Sequence, residues 1–152
     1  WVHACVAAAQ PALHQPDTVP VGAMVEVPAA LFILDELAEL ADFLAIGSND
    51  LGALLFAQPR DSSAIANTAA RTPWLDEGTR APSAHPALLR AIAHVVTAAN
   101  KAGVDVSLCG ELASNIEATQ QLFELGLREL SVSPRLAPAV HAIMKKLPRE
   151  GS

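Results

Sequence analysis

Residues 21–51, VGAMVEVPAALFILDELAELADFLAIGSNDL, restrict the fold more than any other part of the chain. Residues 23–27 form a short apolar run broken by one carboxylate, Glu26, and residues 29–40 carry apolar side chains at helical spacing. A second apolar run, 43–46, stops at Gly47-Ser48-Asn49-Asp50. Strand, helix, strand over this length reads as a βαβ unit, whose two strands lie parallel and adjacent. Glu26 is then next to last in the first strand, and Asp50 opens the loop after the second, so both carboxylates reach the same carboxyl end of the sheet. Two hard oxygen ligands beside an asparagine suit Mg2+, which takes one or two protein carboxylates and leaves its other positions to water and substrate oxygens. The competing reading buries Glu26 against a lysine or arginine and makes Asp50 the cap of the following helix.

The rest of the chain repeats the alternation. Residues 2–10 are alanine-rich and helix-favouring until Pro11 and Pro16, so 1–20 reads as a partial helix and linker before the main unit, 21–148, with 149–152 as a tail. His3 and His14 have no partner at metal-ligand spacing and read as surface or packing residues. Pro28 suits a first helical turn, and Leu31, Leu34, Leu37, Ala38 and Ala41 form the sheet-facing stripe after it. A short helix after Asp50 runs to about residue 57 and is stopped by Gln58-Pro59-Arg60. Residues 61–84 have no sustained period and read as a long loop. A helix over 85–102 buries Leu88, Leu89, Ile92, Val95, Val96 and Ala99, and a third strand over 104–108 delivers Cys109-Gly110-Glu111 to the same rim. A helix over 115–125, a strand over 129–132 and a helix over 135–147 complete four strand–helix units, which predicts a parallel α/β fold with right-handed crossovers. A (β/α)8 TIM barrel takes about 250 residues, so four units are about half of one.

Three motifs in order carry a resemblance to a known family. Met24-Val25-Glu26-Val27-Pro28-Ala29-Ala30, Phe43-Leu44-Ala45-Ile46-Gly47-Ser48-Asn49-Asp50-Leu51 and Cys109-Gly110-Glu111-Leu112-Ala113 resemble the phosphoenolpyruvate-binding TIM barrel of enzyme I of the bacterial sugar phosphotransferase system. Its relatives pyruvate phosphate dikinase and phosphoenolpyruvate (PEP) synthase share the pattern. The likeness extends through His85-Pro86-Ala87-Leu88-Leu89-Arg90 and Glu129-Leu130-Ser131-Val132-Ser133-Pro134, covering nearly everything from residue 21 onward but only the C-terminal half of the family's barrel. It implies Mg2+-dependent phosphoryl transfer from PEP with release of pyruvate. Carried over residue by residue, Glu26 and Asp50 resemble the metal ligands, Asn49 and Arg60 the substrate-binding amide and guanidinium, and Cys109 the acid that protonates the enolate carbon. Glu111 orients the rim. The chain departs from the family at Pro59, where an aspartate usually precedes the arginine, and at Gly52-Ala53-Leu54, which replaces a polar and aromatic stretch.

A net charge of -6 argues against nucleic acid or an anionic membrane as partner, so an anionic substrate must be held by local groups. No apolar run approaches the roughly 20 residues of a membrane span. Two cysteines, Cys5 and Cys109, give no disulfide framework and fit a reducing cytoplasm. Half a barrel exposes two strand edges, which leads to the expectation that preceding sequence or a second copy of the chain completes it, the alternative being a fold that opens into a flatter sheet. Opening on Trp1 rather than Met likewise reads as a piece of something longer. In the family the partners are a homodimer mate, an N-terminal phosphohistidine domain and a phosphocarrier protein. Two further classes stay open: a non-catalytic PEP-binding or dimerisation module, and a lyase or aldolase acting on a pyruvate enolate. At Cys109 a small buried apolar residue is the bland alternative to an acid.

Overall fold

The computed structural model describes residues 19–57 and 84–147. Its elements are β1 (Gly22–Val25), a 3-10 turn (Pro28–Phe32), α1 (Leu34–Leu40), β2 (Phe43–Gly47), α2 (Ser48–Leu55), α3 (Pro86–Ala102), β3 (Asp105–Cys109), a second 3-10 turn (Leu112–Ser114), α4 (Ile116–Glu124), β4 (Glu129–Leu130) and α5 (Ala137–Met144). The four strands form one parallel sheet in the order β1-β2-β3-β4, each beside its neighbour in sequence. The expected α/β class and parallel order are therefore observed.

Register explains which side of the sheet is core. Val25 pairs with Ile46 and Ile46 with Leu108, and all three are fully buried. Two residues back, Leu44 stands between Ala23 and Val106 on the same face. Strand alternation turns the row between them, Met24, Ala45 and Ser107, to the other side, where Met24 is 49% exposed. Among the described residues one face is packed and the other is open, as half of a closed barrel requires.

Helix α3 supplies much of the packed layer. Leu88, Leu89, Ile92, Val95, Val96 and Ala99, the face expected from the sequence, are all buried. His85 caps its start, Nδ1 accepting from the Ala87 N–H at 3.1 Å, and its ring lies 4.5 Å from that of Phe56. The described residues on either side of 58–83 thus meet. At the other end Lys101 donates to Asp35 of α1 at 2.9 Å. The hydrogen bond and charge of Asp35 raise the Lys101 ammonium above its ordinary pKa, so the lysine keeps its charge through neutral pH and gives up its proton only in alkali.

Several boundaries differ from the sequence reading. The helix expected over 29–40 is broken: Ile33 leaves helical geometry with φ -131° and ψ 30°, separating the 3-10 turn from α1. Pro28 at the start of that turn leaves only one tight turn before the break, and Phe32 is 86% exposed. The strand expected over 129–132 forms ladder pairs only at Glu129 and Leu130, with the Ser131 N–H still donating to the Leu108 carbonyl at 2.8 Å before Ser133 enters the turn that leads to α5. The last helix is likewise shorter than 135–147, running Ala137–Met144. The partial helix and linker lie outside the described residues apart from Val19 and Pro20, as do the tail and, apart from Ala84, the loop.

Candidate functional site

The rim at the carboxyl ends of β1, β2 and β3 gathers the chemistry-bearing residues. In register Gly47 pairs with Cys109, and the step after the Val25–Ile46 pair brings Glu26 opposite Gly47. Alternation points Glu26 and Cys109 to the open face, with Gly47 between them. Glu26 follows the end of β1 rather than lying within it, and Asp50 sits in the first turn of α2 rather than in a loop, since Gly47 is already the N-cap. The second correction has a clear cause, a β2-to-α2 connection with no intervening loop, which brings Ser48, Asn49 and Asp50 directly onto the rim.

Glu26 is half-buried and among the described residues makes no hydrogen bond or ion pair, so the expected alternative, a carboxylate matched to a lysine or arginine, is not what these residues form. Asp50, also half-buried, shares its helical turn with Asn49 and benefits there from the positive end of the helix dipole. The Oδ1 of Asn49 accepts from the Glu111 backbone N–H at 2.9 Å, which fixes the amide and leaves its NH2 branch turned away from that bond. Cys109 is half-buried and donates weakly from Sγ to the Ile46 carbonyl at 3.4 Å. Arg60 lies outside the described residues.

Two glycines create the space these groups occupy. A Cβ on Gly47 would stand 2.8 Å from Glu26 Cβ and 3.0 Å from Glu26 Oε2, so the glutamate side chain lies across the bare Cα. Gly47 has φ -84° and ψ 82°, which alanine also adopts, so space alone demands the glycine. Gly47→Ala is accordingly expected to destabilise the fold by about 1–3 kcal/mol through overpacking between β1 and β2. Denaturant unfolding measures this directly, and an unchanged midpoint would mean that Glu26 swings off Gly47 freely. Gly110 is constrained differently: its φ of +100° disfavours any side chain, and a Cβ there would meet Ser48 Oγ at 2.5 Å.

The rim is chemically suited to a divalent cation and an anion together. Among the described residues Glu26, Asp50 and Glu111 place three carboxyl-bearing residues at the strand ends that form it, so a cation would ease the approach of an anionic ligand there. Among the described residues no group of three or more His, Cys, Asp or Glu side chains is arranged to hold a metal, so an ion held by these residues alone would have at most two of their carboxylates and would take its other positions from water or ligand oxygens. A cleft of about 720 Å³ opens elsewhere, between α4, β4 and α5, lined by Phe123, Arg128, Leu130 and His141 among others, and includes no rim residue. The sequence reading assigned no role to Ser48, Gly47 or Gly110. The signal for them was the two short runs Gly47-Ser48-Asn49-Asp50 and Cys109-Gly110-Glu111, whose mutual contact only the register reveals.

Comparison with known proteins identifies the family and the fold. The chain is 36% identical over 152 residues to multiphosphoryl transfer protein 2 of Escherichia coli, and 39% identical over 114 residues to a phosphoenolpyruvate-protein phosphotransferase of Cupriavidus necator. The matches cover 97% and 75% of this chain, yet each spans only 17% of the relative's length. Among solved structures, a citrate lyase from Burkholderia xenovorans matches with a TM-score of 0.64 and 25% identity, over 97% of this chain and 44% of that one. An HpcH/HpaI aldolase/citrate lyase family protein from Burkholderia cenocepacia matches with a TM-score of 0.53 and 24% identity, over 84% and 41%, which speaks to fold alone. No helix of the described residues is long and apolar enough to cross a membrane. The family model described as PEP-utilising enzyme, PEP-binding domain matches residues 3–149, and the chain, with its four parallel strand–helix units making about half of a TIM barrel, belongs to that family.

Proposed function

We propose that this chain binds PEP at the β1–β3 rim and supports Mg2+-dependent phosphoryl transfer from it, as the C-terminal part of a PEP-protein phosphotransferase. The observation that carries the reading is the row Glu26, Gly47, Cys109 across three adjacent strand ends, with the anchored amide of Asn49 beside it. Glu26 and Asp50 would hold the Mg2+, which when bound neutralises phosphate and carboxylate oxygens. The carboxylate of Glu26, which has no hydrogen bond or ion pair among the described residues, and the bare Cα of Gly47 fit that group.

The chain's own residues then do three things. Asn49, fixed through Oδ1, presents its amide hydrogens to a ligand oxygen. Arg60 follows α2 and supplies a guanidinium able to bind phosphate through two hydrogen bonds. Phosphoryl transfer breaks the bond between phosphorus and the enol oxygen and forms one to an imidazole nitrogen of a phosphohistidine domain, leaving a pyruvate enolate. Cys109 gives its S–H proton to the methylene carbon of that enolate, a C–H bond forms, and water returns a proton to the thiolate.

A larger phosphotransfer protein around this chain is supported by the names of the relatives and the small share of their length that the chain spans, and a histidine-bearing domain, a phosphocarrier protein, a homodimer mate, a role in sugar transport and a cytoplasmic location follow from the family resemblance as parts of the same proposal. The likeness to lyase structures favours a second reading, cleavage chemistry on the same enolate. A thiol on the rim has no part in an aldolase, which weighs for the transferase. Calorimetric titration of PEP into the chain with Mg2+ and then with a chelator tests the proposal. Saturable heat only with Mg2+ is the expected outcome, and its absence in a folded sample removes the site from these residues.

A further inference from the structure

Two side chains of the first turn of α2 grip the two peptide groups on either side of Gly110. Ser48, only 2% exposed, donates from Oγ to the Cys109 carbonyl at 2.6 Å. Asn49 accepts from the Glu111 N–H at 2.9 Å. One bond holds the peptide entering Gly110 and the other the peptide leaving it, so together they set the backbone of a residue already at φ +100°. The missing Cβ of Gly110 is what allows the approach, since it would stand 2.5 Å from Ser48 Oγ and 2.7 Å from Asn49 Oδ1. The thiol is tied back to the same strand end through Ile46 O.

We infer that Ser48 is a positioning residue: its buried hydroxyl locks the turn after β3 so that the Cys109 thiol and the Asn49 amide address one ligand together. The inference rests on the functional reading of Cys109 and Asn49 given above. Ser48 itself touches neither substrate nor metal in this role. Its carbonyl partner belongs to the residue that carries the thiol, so losing the bond frees that residue's own peptide. Asn49 then holds the turn from one side only.

The test uses the whole chain and needs no PEP, so failure of ligand binding would sink the functional reading while leaving this one to be judged. Iodoacetamide modification of Cys109 is followed by peptide mapping, which separates it from Cys5, in the parent, Ser48→Ala and Ser48→Thr proteins. In Ser48→Ala the Cys109 rate is expected to rise about five- to tenfold, the opening allowed by one lost hydrogen bond, and hydrogen exchange of the Glu111 N–H to accelerate alongside it. Ser48→Thr keeps the hydroxyl and is expected to return both rates to within about twofold of the parent. A folded Ser48→Ala protein with unchanged Cys109 and Glu111 rates overturns the inference. So does a folded Ser48→Thr protein that behaves like Ser48→Ala, because then bulk and not the hydroxyl would matter. Should the threonine variant not fold, the paired readout on Ser48→Ala alone decides.

Discussion

Glu26→Ala is expected to lower Mg2+-dependent affinity for PEP by about 100-fold or more while leaving thermal stability nearly unchanged. The loss is argued from charge. Removing even a group that merely orients a metal ligand costs 10- to 100-fold in affinity, on the order of the smallest effect to be expected from removing a ligand itself. An anion placed among Asp50, Glu111 and the remaining backbone oxygens without its cation is repelled. The small stability effect is argued from contacts. Glu26 is half-buried, follows the end of β1 and makes no hydrogen bond or ion pair among the described residues, so truncation orphans nothing there. Substitutions of that kind usually stay within about 0.5 kcal/mol. Asp50→Asn tests the other ligand with less disturbance, since it keeps the shape of a side chain that has further interactions. Titration calorimetry with and without Mg2+ gives the affinities, and thermal melts the stabilities. Magnesium-dependent binding of parental strength in both variants would eliminate the proposed ion site.

How far the chain could be read without coordinates depended on whether a feature was local. The buried stripe of α3 is local: its residues recur at helical spacing and every one expected to be inward is buried. The order of strands follows from the tendency of consecutive parallel strands to lie side by side and is observed. The break at Ile33 is not local in that sense, for the run from 29 to 40 keeps its apolar period across a residue that leaves helical geometry. Nothing in the spacing marks it. The placement of Asp50 is hidden for a related reason, because Gly47-Ser48-Asn49-Asp50 has the composition of a loop and yet its last three residues are helical. Gly47 serves at once as strand end, N-cap and floor beneath Glu26. The clasp on Gly110 was invisible for a stronger reason. Ser48 and Cys109 are far apart in sequence, and only the register Gly47↔Cys109 brings them within a hydrogen bond.

Cys109→Ala is expected to separate binding from proton transfer. The thiol's hydrogen bond to Ile46 is long and weak, and neither Glu26 nor Asn49 bonds to the cysteine side chain, so PEP affinity should stay within about twofold of the parent. Chemistry at the enolate carbon should suffer far more, since a positioned general acid contributes about 10²- to 10⁴-fold. The reverse step isolates it without any phosphoryl acceptor. In D2O the thiolate removes a proton from the methyl group of bound pyruvate, solvent exchanges the S–H for S–D, and the sulfur returns deuterium to the same carbon. Loss of the methyl proton signal measures each cycle. The variant is expected to lose exchange by about the factor given for a general acid, with no change in magnesium-dependent binding. Equal exchange in parent and variant would take the thiol out of the chemistry and leave Cys109 as a packing residue at a strand end. Lost binding together with lost exchange would mean that its side chain holds the β3 turn in shape. Only the split between an intact affinity and a failed proton transfer identifies it as the acid.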